Sequence, residues 1–154
     1  MPVAPAPMDN DDAALGALEG LVGYHLRRAS SVFSNDFGRA IEGTGMRQVL
    51  FGILSVVGAN KDINQGEVGR LLGIQRANMV ALINQLVDAG LVDRQTASYD
   101  RRAFALNLTP AGDAMLKDCL ARIDQHEQRM LAGFTAGDRR TLIALLTRIE
   151  TQER

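Results

Sequence analysis

Apolar residues recur at helical spacing near both ends of the chain. Leu15 and Leu18 begin a series that continues every third or fourth residue, which predicts a first amphipathic helix over about residues 13–34. A glycine-containing connection follows, with Gly38 as its first glycine. A shorter apolar series then predicts a second helix that ends at Gly58.

Two further amphipathic helices are predicted near the C-terminus. Thr109 and Pro110 supply a capping residue and then proline at the first helical position, and this helix extends to about Leu131. Thr135 and Asp138 indicate a cap for the last helix, in which apolar residues again follow at helical spacing.

The centre of the chain contains two short helical patterns joined by a turn. Asn64 stands three residues before Glu67, which is the spacing of a helix N-cap with a reciprocal partner. Gly73 ends this helix, a second apolar series follows over about residues 76–89, and Gly90 ends that series. Two short helices joined by a glycine-containing turn form a helix-turn-helix.

Two short extended segments come directly after the helix-turn-helix. Residues 91–95 form the first, and residues 103–108 alternate between the two faces with the period of a half-buried strand. The polar residues 97–101 between them predict a hairpin tip, which makes the hairpin a wing. The predicted fold is therefore mainly α with a small β-wing (α+β), a winged helix-turn-helix.

The apolar stripes of the first helix and the last two predict a homodimer. The small winged module cannot cover three separate stripes, whereas mutual packing with a second copy can, most commonly as a two-fold dimer. We predict a disordered tail over residues 1–12 and a single domain over residues 13–154. Within that domain, residues 13–44 and 110–154 are expected to form dimerisation helices, and residues 45–109 the winged helix-turn-helix.

Composition limits the possible classes of function. The chain has 154 residues, of which 46% are hydrophobic and 23% charged, as is typical of one globular domain. No apolar run reaches the roughly 20 residues of a membrane span. A single cysteine and no recognisable secretion signal favour a cytoplasmic protein. Two histidines and no catalytic motif lead us to expect no metal, no cofactor and no enzymatic activity.

Five short motifs stand in order over the centre of the chain. They are LGIQR (72–76), LINQL (82–86), GLVDR (90–94), DRR (100–102) and LTPAG (108–112). Together they resemble the MarR (multiple-antibiotic-resistance regulator) family of regulators. Each motif alone is loose, but the spacing matches without gaps over residues 64–112, and the helical pattern on either side extends the resemblance to nearly all of the chain beyond the tail.

The resemblance implies a function as well as a fold. It implies a dimer that binds double-stranded DNA at a pseudo-palindromic operator, with the fourth helix in the major groove and the wings in the flanking minor grooves. It further implies a transcriptional regulator, commonly a repressor, that releases DNA on binding a small aromatic or phenolic effector.

Candidate DNA contacts lie mainly at the start of the fourth helix. Gln75, Arg76 and Asn78 occupy the positions from which side chains contact base edges, where Arg suits guanine and Asn or Gln suits adenine. Gln85 and Arg94 are candidate phosphate contacts. The net charge is −1, so any basic surface must be local, and the alternative is a solvated helix start.

The wing supplies the second group of candidates. The resemblance implies that Asp100 and Arg102 brace the wing by an ion pair while Arg101 approaches the minor groove, which attracts arginine in A·T-rich DNA. We add Arg102 itself, Ser98 and Asn64 to the predicted DNA-binding set. The alternative at the wing is an exposed charged turn.

Val80 and Ala81 depart from the family pattern. Members often carry polar or basic residues here, on the side of the recognition helix that is expected to face DNA. Apolar contact with thymine methyl groups is one explanation. A winged-helix module that binds another protein instead of DNA is the alternative that these residues and the near-neutral charge favour.

An effector site is predicted from two small clusters. Tyr24, His25 and Arg28 lie together on the first helix, and Arg47 and Phe51 lie one turn apart on the second. An aromatic acid would need an Arg or His for its carboxylate and aromatic walls for its ring. The alternative is that the two aromatic residues belong to the core or to an interface and that both arginines are surface residues.

Two further residues, Cys119 and His126, are considered as candidate sensors. Cys119 falls on an apolar stripe, so we expect a buried thiol, with a thiol-based oxidant-sensing regulator as the alternative. We expect His126 to be a solvated or interface histidine. The methionines at 46, 79, 115 and 130 are interpreted as core filler.

Overall fold

The computed structural model describes residues 14–96 and 104–153. The chain divides into two compact units, residues 1–35 and residues 36–154. The tail predicted over residues 1–12 lies outside the described residues, so it stays a prediction.

The first helical segment differs from the single helix predicted over residues 13–34. A short 3₁₀ helix, Gly16–Gly20, precedes helix α1, Val22–Ala40. Leu21 between them has an extended backbone, with φ −95° and ψ 112°. Two glycines in the 3₁₀ segment explain the break, because glycine loses more conformational entropy in a helix than other residues. Helix α1 then passes through Gly38, at a cost of only about 1 kcal/mol for an interior glycine.

The remaining elements follow the predicted order. Among the described residues there are five more α-helices and three strands, and a short 3₁₀ helix follows the last α-helix. They are α2 (Gln48–Ala59), β1 (Ile63–Asn64), α3 (Gln65–Leu72), α4 (Arg76–Asp88), β2 (Val92–Thr96), β3 (Phe104–Leu108), α5 (Pro110–Met130), α6 (Ala136–Glu150) and the 3₁₀ helix Thr151–Glu153.

The sheet contains one strand that was not predicted. Its three antiparallel strands lie in the order β1-β3-β2, and Ile63 of β1 pairs with Leu106 of β3. The predicted wing hairpin is confirmed by the β2–β3 pairing, in which Arg94 also lies opposite Leu106. Strand β1 has only two residues, too few for an alternating pattern to be visible in the sequence.

The hydrophobic core lies between α2, α3, α4 and the sheet. Ile53, Leu54, Ile83 and Leu106 are completely buried in it. Burying a side chain of this size contributes roughly 1.5–3 kcal/mol relative to leaving it exposed. Met79 is also buried, in agreement with its interpretation as core filler.

Gly58 does not end α2, contrary to the prediction. The helix continues to Ala59, and a Cβ added at Gly58 would lie 3.0 Å from side-chain carbons of both Leu108 and Leu116. The glycine therefore serves packing, because it lets α2 approach β3 and α5 more closely than any other residue would.

Two of the sequence motifs meet where α5 begins. The Thr109 hydroxyl donates to the Gly90 carbonyl oxygen at 2.6 Å and accepts from the Gly112 N–H at 3.0 Å, which confirms the predicted N-cap. A Cβ at Gly112 would lie 1.9 Å from the Leu91 carbonyl oxygen. Only glycine fits this crossing, so it fixes the first turn of α5 against the start of the wing.

Helix α6 begins as predicted and buries none of its residues. Thr135 and Asp138 form a complete capping box, and the pKa of Asp138 is lowered by its hydrogen bonds to Thr135. Large apolar side chains on this helix remain exposed: Leu142, Ile143, Leu145 and Ile149. Across the residues that the structure describes, no helix is both long and apolar enough to cross a membrane.

Candidate nucleic-acid interface

Helices α3 and α4 form the predicted helix-turn-helix around two glycines. Gly73 adopts the left-handed conformation at φ +67°, and Ile74 N–H donates to the Gly69 carbonyl oxygen at 2.9 Å. A Cβ at Gly69 would lie 3.0 Å from Met79 Cγ and 3.1 Å from the Ile74 carbonyl oxygen. This close approach fixes the angle at which α4 leaves the turn.

The cap of α3 is present, but the predicted reciprocal partner is not. Asn64 Oδ1 accepts from the Glu67 N–H at 2.8 Å. The Glu67 carboxylate instead pairs with Arg70, whose hydrogen bond holds the pKa of Glu67 below its ordinary value. A cation one helical turn away offers the carboxylate a stronger bond than the neutral backbone N–H of Asn64 does.

The exposed face of α4 is polar at its start and apolar at its centre. Gln75, Arg76 and Asn78, the three predicted base contacts, are all exposed. Val80 is 50% exposed, and Ala81 beside it is also exposed. The opposite side of the helix is anchored in the core, so α4 is held rigidly with this face outward.

A first groove, which we call the wing groove, lies between α3, α4 and the wing strands. Its volume is about 840 Å³. Three of the predicted DNA-binding residues line it together: Asn64, Arg76 and Arg94. Val80 and Phe104 supply apolar lining.

Arg94 connects the wing to α4. Its Nη1 donates to Asn84 Oδ1 at 2.8 Å, and its guanidinium lies 5.2 Å from the centre of the Phe104 ring. Asn84 is on α4, Arg94 on β2 and Phe104 on β3. This guanidinium therefore fixes the wing strands relative to the recognition helix, a role that the phosphate-contact prediction did not include.

A second groove, the α2–α4 groove, lies on the other side of α4. It has a volume of about 400 Å³, and Asn78 and Gln85 line it together with Arg47. Arg47 Nη2 donates to Gln85 Oε1 at 2.9 Å. The two predicted DNA contacts on this side therefore share their surroundings with an arginine that was predicted to bind an effector.

The remaining wing candidates lie outside the described residues. The segment between the two described ranges, 14–96 and 104–153, contains Ser98, Asp100, Arg101 and Arg102. Their predicted roles in wing bracing and in the minor groove stay predictions.

The first predicted effector cluster lies on α1. Tyr24 and His25 form an edge-on ring pair with centroids 5.3 Å apart, and His25 Nε2–H donates to the Glu19 carbonyl oxygen at 2.8 Å. Arg28 on the same helix is exposed.

Arg47 and Phe51, the second predicted effector cluster, contact different elements. Arg47 bonds Gln85 of α4, whereas the Phe51 ring lies edge-on to Phe37 with centroids 6.4 Å apart. The one-turn spacing on α2 therefore does not direct the guanidinium and the ring to the same neighbours.

A cluster of Asp36, the buried His126 and the exposed Arg129 joins the end of α1 to α5 and was not predicted. His126 is only 2% exposed, so of the two expectations, a solvated or an interface histidine, the solvated one is wrong and the interface one stays a prediction. Its Nδ1–H donates to the Asp36 carboxylate, which also accepts from Arg129 Nη2 at 3.3 Å. The hydrogen bond from His126 lowers the pKa of Asp36, and Arg129 lowers it further. The predicted first helix ends before Asp36, so the cluster was not predicted.

Cys119 is completely buried, as expected. Burial raises the pKa of its thiol, Asp118 raises it further, and a hydrogen bond with Thr44 opposes the shift. A reactive thiol needs the exposed, electropositive surroundings that favour the thiolate, which this position does not provide. Within the described ranges, His, Cys, Asp and Glu residues form no group of three or more suited to a metal ion.

Comparison with known proteins gives consistent matches. A family model described as MarR family matches residues 45–103. A putative transcriptional regulatory protein for the hcr operon of Thauera aromatica is 34% identical over 154 residues, which cover 97% of this chain and 90% of that protein.

Two solved structures extend the likeness to three dimensions. The transcriptional repressor CouR bound to a 23-mer DNA duplex superposes with a TM-score of 0.85 at 31% identity, over 90% of this chain and 99% of that one. CouR from Rhodococcus jostii RHA1 bound to p-coumaroyl-CoA superposes with a TM-score of 0.80 at 25% identity, over 89% of this chain and 96% of that one.

Proposed function

Because this chain belongs to the MarR family of transcriptional regulators, we propose that it is a homodimeric repressor that leaves its operator when a small aromatic or phenolic ligand binds. The exposed face of α4 carries the proposal, because Gln75, Arg76 and Asn78 stand clear of the core at the start of a rigidly held helix. Family membership also agrees with the expectation of a regulator without enzymatic activity.

DNA binding would use α4 and the wing together. A recognition helix enters the major groove with its first residues against base edges, so Arg76 would contact guanine and Asn78 adenine. Arg94 holds the wing strands to α4 through Asn84, so helix and wing would approach DNA as one body. The CouR structure with a 23-mer DNA duplex supports this mode of binding.

The dimer would use the helices outside the winged module. Helix α6 exposes four large apolar side chains. Exposed apolar surface of this kind marks an interaction site, and a two-fold dimer covers the same face on both copies. A dimer also matches a pseudo-palindromic operator whose half-sites lie roughly 34–36 Å apart.

A solved relative supports the proposed effector class. CouR binds p-coumaroyl-CoA, the thioester of a phenolic acid. We propose an effector of this chemistry, a phenolic or aromatic acyl group with or without coenzyme A. Tyr24, His25 and Arg28 remain candidate contacts, because a histidine and an arginine beside an aromatic ring suit an aromatic acid.

The test is a fluorescence-anisotropy titration of labelled duplexes with the purified full chain. The first duplex carries the intergenic DNA upstream of the chain's own gene, and a scrambled duplex of equal length is the control. We expect saturable binding to the first duplex at a salt concentration that abolishes binding to the second. Repeating the titration with p-coumaroyl-CoA, free p-coumarate, a panel of other aromatic acids, phenols and their thioesters, and coenzyme A alone tests the effector class.

Each arm can contradict part of the proposal. The DNA-binding function would be contradicted if the chain bound both duplexes with equal affinity and also selected no sequence from a random pool. Specific binding that no aromatic acid, phenol or thioester weakens would leave a regulator and remove the proposed effector class. Weakening by coenzyme A alone would assign recognition to the carrier and not to the aromatic group.

A further inference from the structure

Arg47 lies beside the exposed face of α4, where the sequence did not place it. Its guanidinium bonds Gln85, and it lines the α2–α4 groove together with Asn78. We infer that Arg47 is a DNA-phosphate contact held in position by Gln85, and not part of an effector pocket. The inference rests on the proposed function, because it needs this face of α4 to meet DNA.

Within the part of the chain that the structure describes, the groove places no carboxylate beside Arg47. Of the described residues that line the groove, none is acidic: Arg47, Val49, Ile74, Ala77, Asn78, Ala81, Leu82 and Gln85. A guanidinium has five N–H donors, and the bond to Gln85 uses one of them. A phosphate oxygen can therefore be bound while Gln85 keeps the side chain in place, and the planar fork suits phosphate better than an ammonium does.

The position of Arg47 suits the DNA backbone better than a base. It is the N-cap residue of α2, whereas Ala77 and Ala81, which line the same groove, belong to α4. A helix occupies most of a major groove that is about 12 Å wide. Side chains from the neighbouring helix therefore meet the sugar–phosphate backbone at the rim, where contacts position the protein without distinguishing bases.

Phe51 does not accompany Arg47 as the predicted effector site requires. Phe51 was predicted to supply the aromatic wall next to Arg47, but its ring contacts Phe37 near the end of α1. Arg47 is exposed, whereas Phe51 is half-buried. A ligand that stacked on Phe51 would therefore approach from surroundings that the Arg47 guanidinium does not share.

The salt dependence of DNA binding tests the inference. Full-length wild type and Arg47→Ala are titrated into the selected operator and into a random duplex at several salt concentrations. We expect Arg47→Ala to weaken both complexes by the same factor and to flatten the slope of log affinity against log salt by roughly 2, one lost contact per subunit. Arg47→Lys, which keeps the charge, should retain most of the slope.

A matched control removes an exposed arginine elsewhere. Arg122 pairs with Asp118 on α5, and Arg122→Ala should keep the wild-type slope. An unchanged slope in Arg47→Ala would overturn the inference, and so would a loss confined to the operator, because that indicates a base contact. Wild-type protein that prefers no duplex would instead overturn the proposed function, so the two failures are distinguishable.

Discussion

The winged module, residues 45–109, and helix α6 differ in whether their large apolar side chains are buried. In the module, Ile53, Leu54 and Leu106 are completely buried. Helix α6 buries none of its residues, and its Ile143 is 64% exposed. The module therefore carries its own core, whereas α6 carries apolar surface that only another surface can remove from water. This contrast assigns stability mainly to the module, and it supports our proposal that α6 takes part in the dimer.

A charged side chain on the exposed apolar face of α6 should have the largest effect, on both the oligomeric state and the operator affinity. We expect Ile143→Asp to give a folded monomer, because the position is exposed in one chain but would be desolvated in a dimer. Losing one of two linked half-site contacts should weaken operator binding by about 10²–10⁴-fold. Light scattering measures the mass, and anisotropy measures the affinity.

Thr141→Asp is the matched control for this change. Thr141 is exposed on the same helix and carries no large apolar side chain. It should leave both mass and affinity unchanged. If Ile143→Asp remains a dimer with wild-type operator affinity, the exposed face of α6 does not form the dimer interface.

Where the module meets α5, the crossing at Gly112 should be the position most sensitive to a single methyl group. A Cβ there would lie 1.9 Å from a backbone oxygen of Leu91, which no rotamer change can relieve. We expect Gly112→Ala to lower the free energy of unfolding by about 2–4 kcal/mol, at or above the upper end of the usual range for overpacked positions, because the contact is with backbone. Urea unfolding measures this loss.

Gly38→Ala sharpens the comparison, because the same substitution should have the opposite sign there. Gly38 lies inside α1 with nothing within 4 Å of the added Cβ. Alanine at a free helical position stabilises by about 0.5–1 kcal/mol relative to glycine. Equal effects at both glycines would mean that the close approach at Gly112 is relieved by a small shift of α5.

The module also has one apolar patch of its own, at Val80 and Ala81. If this patch contacts thymine methyl groups, replacing operator thymines by deoxyuridine should weaken binding, because each buried methyl group contributes roughly 0.8 kcal/mol. Two half-sites with one contact each would give an affinity loss of roughly tenfold by the same figure. Anisotropy on matched duplexes measures it.

Val80→Ala identifies which side chain makes the contact. The penalty for deoxyuridine should shrink in this variant, as expected for two groups that interact directly. A penalty of the same size in both proteins would assign the methyl contact to another residue. Equal affinity of the wild type for both duplexes would contradict the thymine contacts. It would instead favour a protein partner for this patch.

The winged module could be predicted because its signals are local. Asn64 and Glu67 lie one turn apart, and Gly73 and Gly90 each mark a helix end within their own segment. Thr109 caps α5 three residues before Gly112. Such signals depend on a few neighbouring residues, so the pattern of the sequence contains them in full.

The parts that were missed depend on distant partners. Strand β1 exists because Ile63 pairs with Leu106, far along the chain. The direction of Arg47 is set by Gln85 on another helix, and the continuation of α1 through Gly38 places Asp36 against His126. None of these partners is visible from spacing within one element, which is why the effector candidates were grouped by helix turn and not by actual neighbours.

The smallest expected effect lies at the cluster that joins the end of α1 to α5. The folded-state pKa of Asp36 is lowered, chiefly by the hydrogen bond from His126. The ionised carboxylate therefore stabilises the folded chain fully above its ordinary pKa of about 3.9, and this contribution is lost as the pH falls through the lower folded value. Asp36→Asn keeps an acceptor for His126 but removes the charge.

We expect the wild type to be more stable than Asp36→Asn at pH 7 and the difference to shrink below about pH 4. Urea unfolding between pH 3 and pH 7 measures it, with Asp113→Asn as the control for losing an exposed carboxylate that pairs with Lys117 on the same helix. A difference that stays constant across this range would mean that Asp36 acts through packing and hydrogen-bond geometry alone. In that case the end of α1 would be joined to α5 without any contribution from charge.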